Sequence, residues 1–121
     1  MRIPWWLPFG RVPEVTAAIL AARLDRGEAV QLLDVRSAGE FRAGHIAGSV
    51  NVPITEVEER LAALALDATR PVVAICLSAH RSIPAVRLLR QEGFDASQLA
   101  GGMLAWRAAG LPEARPRPPS T

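Results

Sequence analysis

One stretch of the chain joins an apolar run, a single cysteine and a helical pattern, and it reads VVAICLSAHRSIPAVRLLR over residues 72–90. The apolar run is typical of a buried strand, and Cys76 follows it directly. After a polar loop, residues 82–90 repeat apolar side chains at helical spacing, with Pro84 in the first turn, where proline is tolerated. The stretch predicts a strand, a loop and a helix, the unit of open α/β folds, which place their chemistry at the carboxyl ends of strands.

The signals on both sides of this stretch alternate between strand and helix. Strands are predicted at about residues 30–34, 49–52, 72–76 and 96–99. Helices are predicted from Thr16 to Gly27, from Ser37 to Gly44, after Thr55, from Ser82 to Gly93, and over residues 103–108. This alternation predicts a parallel sheet covered by helices on both faces, with Trp106 in the core.

Two of these helices begin with the sequence pattern of a capping box. Ser37 is followed three residues later by Glu40, and Thr55 is followed by Glu58. In a capping box the hydroxyl accepts a hydrogen bond from the backbone three residues on, and the carboxylate accepts one from the cap residue. We therefore expect both pairs to fix the start of a helix.

The length of the chain predicts a single domain. It has 121 residues, half of them apolar, which is enough for one core and too few for two. We expect an N-terminal extension over residues 1–11, a domain over 12–112 and a flexible, proline-rich tail over 113–121. In the extension, Trp5 and Trp6 are interpreted as a strap over the surface or as a partner-docking patch.

The distribution of charged residues argues against a nucleic-acid partner, and the length of the apolar runs argues against a membrane partner. All 14 basic residues are arginine, they are interspersed with 12 acidic residues, and the net charge is +2. Because they are not clustered, we expect no nucleic-acid surface. No apolar run has the length of a membrane span, so no membrane partner is expected. A single cysteine suits a reducing compartment, which predicts a cytoplasmic location.

Cys76 is the candidate nucleophile. If the following loop curls around the sulfur, backbone N–H groups and a helix N-terminus point at it and favour an anion. Arg81 would add a positive charge, and a thiolate held in this way is nucleophilic at neutral pH. The alternatives are that Arg81 pairs with a surface carboxylate and that Cys76 is simply a small buried hydrophobic residue.

Four separate segments occur in the order found in a known family. They are DVRSAGEF (34–41), GHIAGSVNVP (44–53), the loop CLSAHR (76–81), and GGMLAW (101–106) followed by GLP (110–112). Over about residues 12–112 the chain closely resembles the rhodanese-like sulfurtransferases. The resemblance implies an α/β, rhodanese-like three-layer fold, in which a small parallel sheet has helices on both faces.

The resemblance also implies a reaction and its site residues. In this family the loop cysteine takes a sulfur atom from an anionic donor such as thiosulfate, holds it as a persulfide and passes it to cyanide, a thiol or a protein acceptor. Cys76 is then the catalytic residue. The implied substrate-binding residues are Leu77, Ser78, Ala79, His80, Arg81 and Ser82, and the backbone amides of the first five would cradle the outer sulfur.

Other polar residues are expected to support the site. The resemblance implies that Asp34 and Arg36 fix neighbouring loops, either as an interior ion pair or through a carboxylate bonded to the backbone. His45 is expected to satisfy local hydrogen bonds rather than act as a base. Two histidines and one cysteine predict no metal site, and no cofactor is expected. Gly101 and Gly102 lack the further glycines and the lysine of a nucleotide-binding loop.

The details of the loop bear on its activity. Four residues separate Cys76 from Arg81, whereas phosphatases of the cell-division-cycle type, which resemble rhodaneses in fold, have five. The count disfavours phosphatase or arsenate reductase activity. Leu77 stands where a basic residue often binds a doubly charged donor, and Ala79 where many relatives have glycine, whose backbone tolerates a left-handed conformation. These differences leave open a catalytically weak binding or sensing module. His80 either supplies a pH-dependent charge or faces solvent.

Overall fold

The computed structural model describes residues 4–7, 10–78 and 80–116. The strands are β1 (Glu14–Val15), β2 (Gln31–Asp34), β3 (Val50–Asn51), β4 (Val72–Ile75) and β5 (Ala96–Leu99). They form one parallel sheet in the order β1-β5-β4-β2-β3. The helices are α1 (Ala17–Asp25), α2 (Ala38–Ala43), α3 (Val57–Arg60), α4 (Ser82–Gln91) and α5 (Gly102–Ala108). Short 3-10 turns cover Ile54–Glu56 and Ala62–Leu64.

Helices cover both faces of the sheet. Alternate residues of the central strand β4 point to opposite faces, so this strand contributes to both cores. Val72 and Ala74 pack with α4 in a first core. Val73 and Ile75 pack with α1 and α5 in a second core, where Trp106 is buried. The predicted three-layer α/β fold and the core position of Trp106 are confirmed. Within the described residues, none of the helices combines the length and apolar character needed to cross a membrane.

Most predicted elements lie within one or two residues of the observed ones. The N-cap of α1 is confirmed, since the Ile19 N–H donates to Thr16 Oγ1 at 3.2 Å. Strand β1 was not predicted, because two residues are too few to show an alternating pattern. It extends the sheet by pairing with Gln98 and Leu99 of β5.

The capping box at the start of α2 is confirmed. The Glu40 N–H donates to Ser37 Oγ at 3.2 Å, and the Ser37 N–H donates to Glu40 Oε1 at 3.1 Å. These two bonds satisfy N–H groups that the helix itself leaves without acceptors. They also fix the position of the Glu40 side chain.

The predicted capping box at Thr55 is wrong. A 3-10 turn covers Ile54–Glu56, and α3 begins at Val57 without a side-chain cap. The Ile54 N–H donates to the carbonyl of Val35 at 3.0 Å, so the turn already begins before Thr55. A tertiary hydrogen bond has therefore overridden the local signal.

Because one box forms and the other does not, two alanine variants should differ in stability. Ser37→Ala is expected to lower the free energy of unfolding by about 1 kcal/mol, since an N-cap is lost. Thr55→Ala serves as the matched control and is expected to cost only a few tenths of a kcal/mol. Denaturant titration of both variants measures the difference. Equal losses would contradict the assignment of the caps.

The two tryptophans of the N-terminal extension have different surroundings. Trp5 is half-buried and packs against the first core, as the strap interpretation predicts. Trp6 is exposed. Nearby, Arg87 of α4 donates to the carbonyl of Leu7 at 2.7 Å, which also ties the extension to the domain.

The C-terminal segment contacts the domain as far as the structure describes it. Ala114 and His45 exchange two backbone hydrogen bonds, at 3.0 and 2.6 Å. Arg107 forms a bidentate ion pair with Glu113. The observed contacts thus continue past residue 112. The predicted limits of the domain and the predicted flexibility of residues 113–121 stay predictions, and residues 117–121 lie outside the described part of the chain.

Candidate active site

Cys76 lies where β4 ends, at the base of the loop that leads into α4. Its side chain is 1% exposed and belongs to the first core. Ser78 and His80 are exposed, and Leu77 is half-buried against the second core. The sulfur therefore lies beneath a loop in which Ser78 and His80 face solvent. Ala79, which stands where many relatives have glycine, lies outside the described residues.

A buried hydroxyl contacts the sulfur from the first turn of α4. Ser82 is fully buried, and its Oγ lies 3.5 Å from Cys76 Sγ. The same hydroxyl lies 2.6 Å from Gln98 Oε1, and Gln98 Nε2 donates to Glu14 Oε2 at 2.9 Å. A chain of polar groups thus connects the sulfur with β1. It fixes the start of α4 next to Cys76.

The other side of the loop rests on the N-terminus of α5. The N–H groups of Met103 and Leu104 donate to the carbonyls of Cys76 and Leu77, at 2.8 and 3.0 Å. Gly102 makes this approach possible, because a Cβ there would lie 2.4 Å from the Cys76 carbonyl oxygen. Its φ of +56° is also a conformation that favours glycine.

Arg81 ends the loop and pairs with a carboxylate from α2. Its Nη1 and Nη2 donate to Glu40 Oε1 and Oε2, at 2.5 and 2.8 Å. The two side chains are 37% and 31% exposed. The structure thus shows the carboxylate partner that the sequence left as the alternative. Contact between Arg81 and a bound anion stays a prediction.

This ion pair shifts the pKa of both groups. The hydrogen bond from Arg81 lowers the pKa of Glu40 from 4.5 to about 2, with burial opposing the shift and Ser37 adding to it. The hydrogen bond to Glu40 raises the pKa of Arg81, partial burial opposes this, and the charges of Glu40 and Cys76 add to it. Because the Glu40 pKa falls on folding, the pair stabilises the fold above pH 4.5, and this stability is lost toward pH 2.

An NMR titration of the carboxyl carbons is expected to give Glu40 a pKa of about 2. In Arg81→Gln the largest cause of the shift is removed, so the pKa should rise toward 4.5. Glu113, whose pKa is lowered by Arg107, is the internal control and should not respond. A Glu40 pKa that is the same in both proteins would contradict the pairing.

Asp34 and Arg36 form an interior ion pair, and the Asp34 carboxylate also accepts a hydrogen bond from the Arg36 N–H at 3.1 Å, so both expected arrangements occur. Both side chains are buried, and Arg36 donates to both Asp34 carboxylate oxygens, with a shortest distance of 2.8 Å. Arg36 also donates to the carbonyl of Gly44, and Asn51 Nδ2 donates to the backbone carbonyls of residues 34 and 36. The pair therefore fixes the segment between β2 and α2. Helix α2 in turn carries Glu40, which faces the loop.

His45 has the structural role that we expected. Its Nδ1 lies 2.7 Å from the carbonyl of Phe41, and the two rings stack with centroids 3.7 Å apart. No cluster of three or more potential metal ligands occurs among residues 4–7, 10–78 and 80–116. The described site therefore consists of one buried sulfur, a hydroxyl, a helix N-terminus and an ion-paired guanidinium.

Three contributors to this site were not predicted in these roles. Glu40 was interpreted only as a helix cap, and Gly102 only as part of a family segment. The signal for Gln98 is a glutamine within the short strand β5, because a polar side chain that a strand buries needs a hydrogen-bond partner. Their roles depend on contacts between segments that are distant in sequence, which local patterns do not report.

Known proteins resemble this chain over most of its length. It is 46% identical over 100 residues to the HTH-type transcriptional regulator Rv0324 of Mycobacterium tuberculosis, covering 81% of this chain but only 43% of that protein. It is 34% identical over 106 residues to a sulfurtransferase of Allochromatium vinosum, covering 87% and 97% of the two chains. The solved structure of a thiosulfate sulfurtransferase from Pseudomonas aeruginosa matches with a TM-score of 0.78 and 28% identity, covering 88% of this chain and 21% of that one.

The model of one protein family matches most of the chain. The model of the rhodanese-like domain matches residues 16–109, which include all five helices and four of the five strands. The relatives in this comparison include a sulfurtransferase, and the fold agrees with that of the solved thiosulfate sulfurtransferase structure. The chain belongs to the rhodanese-like domain family.

Proposed function

We propose that this protein is a sulfurtransferase that moves a sulfane sulfur atom through a persulfide on Cys76. The observation that carries the proposal is the position of Cys76 Sγ, beneath a loop and 3.5 Å from a hydroxyl in the first turn of the ten-residue helix α4. A helix N-terminus and nearby backbone N–H groups stabilise an anion. The sulfurtransferase among the relatives supports the same chemistry.

The reaction has two displacement steps. In the first, the Cys76 thiolate attacks the outer sulfur of the donor, a new S–S bond forms on Cys76, and the electron pair of the donor's S–S bond leaves with sulfite or a thiolate. In the second, the acceptor attacks the outer sulfur, and the electron pair of the persulfide bond returns to Cys76. Cyanide becomes thiocyanate, and a thiolate becomes a persulfide. No external oxidant or reductant is needed.

Within this mechanism the loop residues bind the transferred sulfur. The backbone amides of residues 77–81 cradle the outer sulfur, and Ser82 positions the inner one. Asp34 and Arg36 hold the neighbouring segment in place. The donor is thiosulfate or another persulfide, and the acceptor is cyanide, a thiol or a protein. We propose a cytoplasmic location, because the reactive thiol must stay reduced.

A second candidate function is that of a catalytically weak binding or sensing module. The 46% identity to a transcriptional regulator, of which this chain spans less than half, favours it. In such a module the state of Cys76 would be detected by a partner and sulfur would not turn over. Phosphatase and arsenate reductase activities are disfavoured, because the loop is one residue shorter than in the phosphatases and Glu40 already pairs with Arg81.

The test is thiocyanate production by the purified protein from cyanide and each of several donors, thiosulfate and cysteine persulfide among them. Catalytic turnover with at least one donor is the expected result. If no donor gives turnover above the uncatalysed reaction, sulfur transfer would be refuted as the function. The sensing module would then be the better account.

A further inference from the structure

Two arginines of the candidate site are each paired with a carboxylate. Arg81 is bound to Glu40 through two hydrogen bonds, and Arg36 is bound to Asp34. Each pair contributes a net charge of zero. A donor entering the loop therefore meets much less positive charge than the number of arginines suggests.

The carboxylate of Glu40 is held in place from two directions. Besides Arg81, it accepts hydrogen bonds from the N–H and the hydroxyl of Ser37, both at 3.1 Å. Its pKa of about 2 means that the negative charge persists at every pH where the protein would work. The guanidinium has five N–H groups and Glu40 uses two of them, so Arg81 can still donate hydrogen bonds although its charge is balanced.

The rest of the described loop does not replace the missing charge. Leu77 is apolar and half-buried against the second core, and Ser78 and Ser82 are neutral. His80 is exposed to solvent. Such a site can hydrogen-bond an anion but lacks the charge to compensate a small dianion.

We propose that Glu40 determines donor specificity: by neutralising Arg81 it selects singly charged organic persulfides over the dianion thiosulfate. This inference rests on the proposed function and names its donor class. Glu40 acts through Arg81 and is a specificity-determining residue that need not touch the donor. The sulfur-transfer steps themselves are unchanged, and a thiolate is the leaving group.

The test compares kcat/KM for thiosulfate and cysteine persulfide in the full chain, with cyanide as acceptor, low ionic strength and mildly alkaline pH. The uncatalysed reaction of each donor is subtracted. In Glu40→Gln the carboxamide retains the capping hydrogen bonds but loses the charge. We expect the ratio of kcat/KM for thiosulfate to kcat/KM for the persulfide to rise about tenfold, because Arg81 then has an uncompensated charge.

Glu113→Gln is the matched control, because Glu113 forms a bidentate pair with Arg107 and the variant loses the same charge. Its ratio should stay within about twofold of the wild-type value.

Arg81→Gln provides a second variant, in which the charge of Glu40 is uncompensated and the ratio should fall. An unchanged ratio in folded Glu40→Gln, or in Arg81→Gln if the first does not fold, would overturn the inference. Equal rises in Glu40→Gln and Glu113→Gln would overturn it as well. No turnover of either donor by the wild type would instead refute the proposed function.

Discussion

Replacing Cys76 with serine is expected to reduce thiocyanate production by roughly a thousandfold or more, since the nucleophile of the proposed reaction is lost. Cys76 is the only cysteine in the chain, so no second thiol can take over. Serine is slightly smaller than cysteine and keeps a hydrogen-bonding atom next to Ser82, so the fold should be retained. The measurement is the initial rate with the best donor, in wild type and variant at equal concentration.

Thermal unfolding of Cys76→Ser separates a chemical effect from a structural one. A variant that unfolds near the wild-type temperature but has lost turnover supports the assignment. A folded variant that still transfers sulfur at the wild-type rate would exclude Cys76 as the nucleophile. In the sensing module, by contrast, the wild type itself would already be inactive.

The second large effect is expected for Gly102→Ala. The added Cβ would lie 2.4 Å from the Cys76 carbonyl oxygen and 2.6 Å from the carbonyl carbon of Leu77, which are backbone atoms that cannot rotate away. We expect a loss of about 2 to 4 kcal/mol in the free energy of unfolding, from the close contact and the left-handed backbone together. Because the loop must shift, kcat/KM should also fall, by about a hundredfold.

Gly110→Ala is the matched control for this variant. Gly110 also has a positive φ, +71°, but a Cβ there meets nothing within 4 Å. Its cost should be only the backbone term, about 1 kcal/mol, with activity retained. Similar losses in both variants would show that α5 does not determine the position of the loop.

The fold was largely predictable because its signals are local. The apolar run before Cys76, the amphipathic pattern after it and the capping box at Ser37 each involve neighbouring residues, and each element formed where predicted. The exception at Thr55 shows that a tertiary contact can override a local signal. Thr55 has a cap pattern, but a hydrogen bond between Ile54 and Val35 places it inside a turn.

The candidate site was predictable only in part, for the same physical reason. The cysteine and its loop are continuous in sequence, so their relation was visible. The partners of the loop come from other segments: Glu40 from α2, Gln98 from β5 and Gly102 from α5. A carboxylate that caps its own helix gives no sign in the sequence that it also binds an arginine 41 residues away.

The central claim, that Cys76 carries a transferable sulfur, is tested most directly by the mass of the intact protein. The protein is incubated with thiosulfate or cysteine persulfide, separated from the donor, and measured before and after addition of cyanide. We predict a gain of one sulfur atom on Cys76 that disappears with cyanide, and no gain in Cys76→Ser. If no donor adds sulfur to the wild type, or if the variant gains it equally, the claim is contradicted.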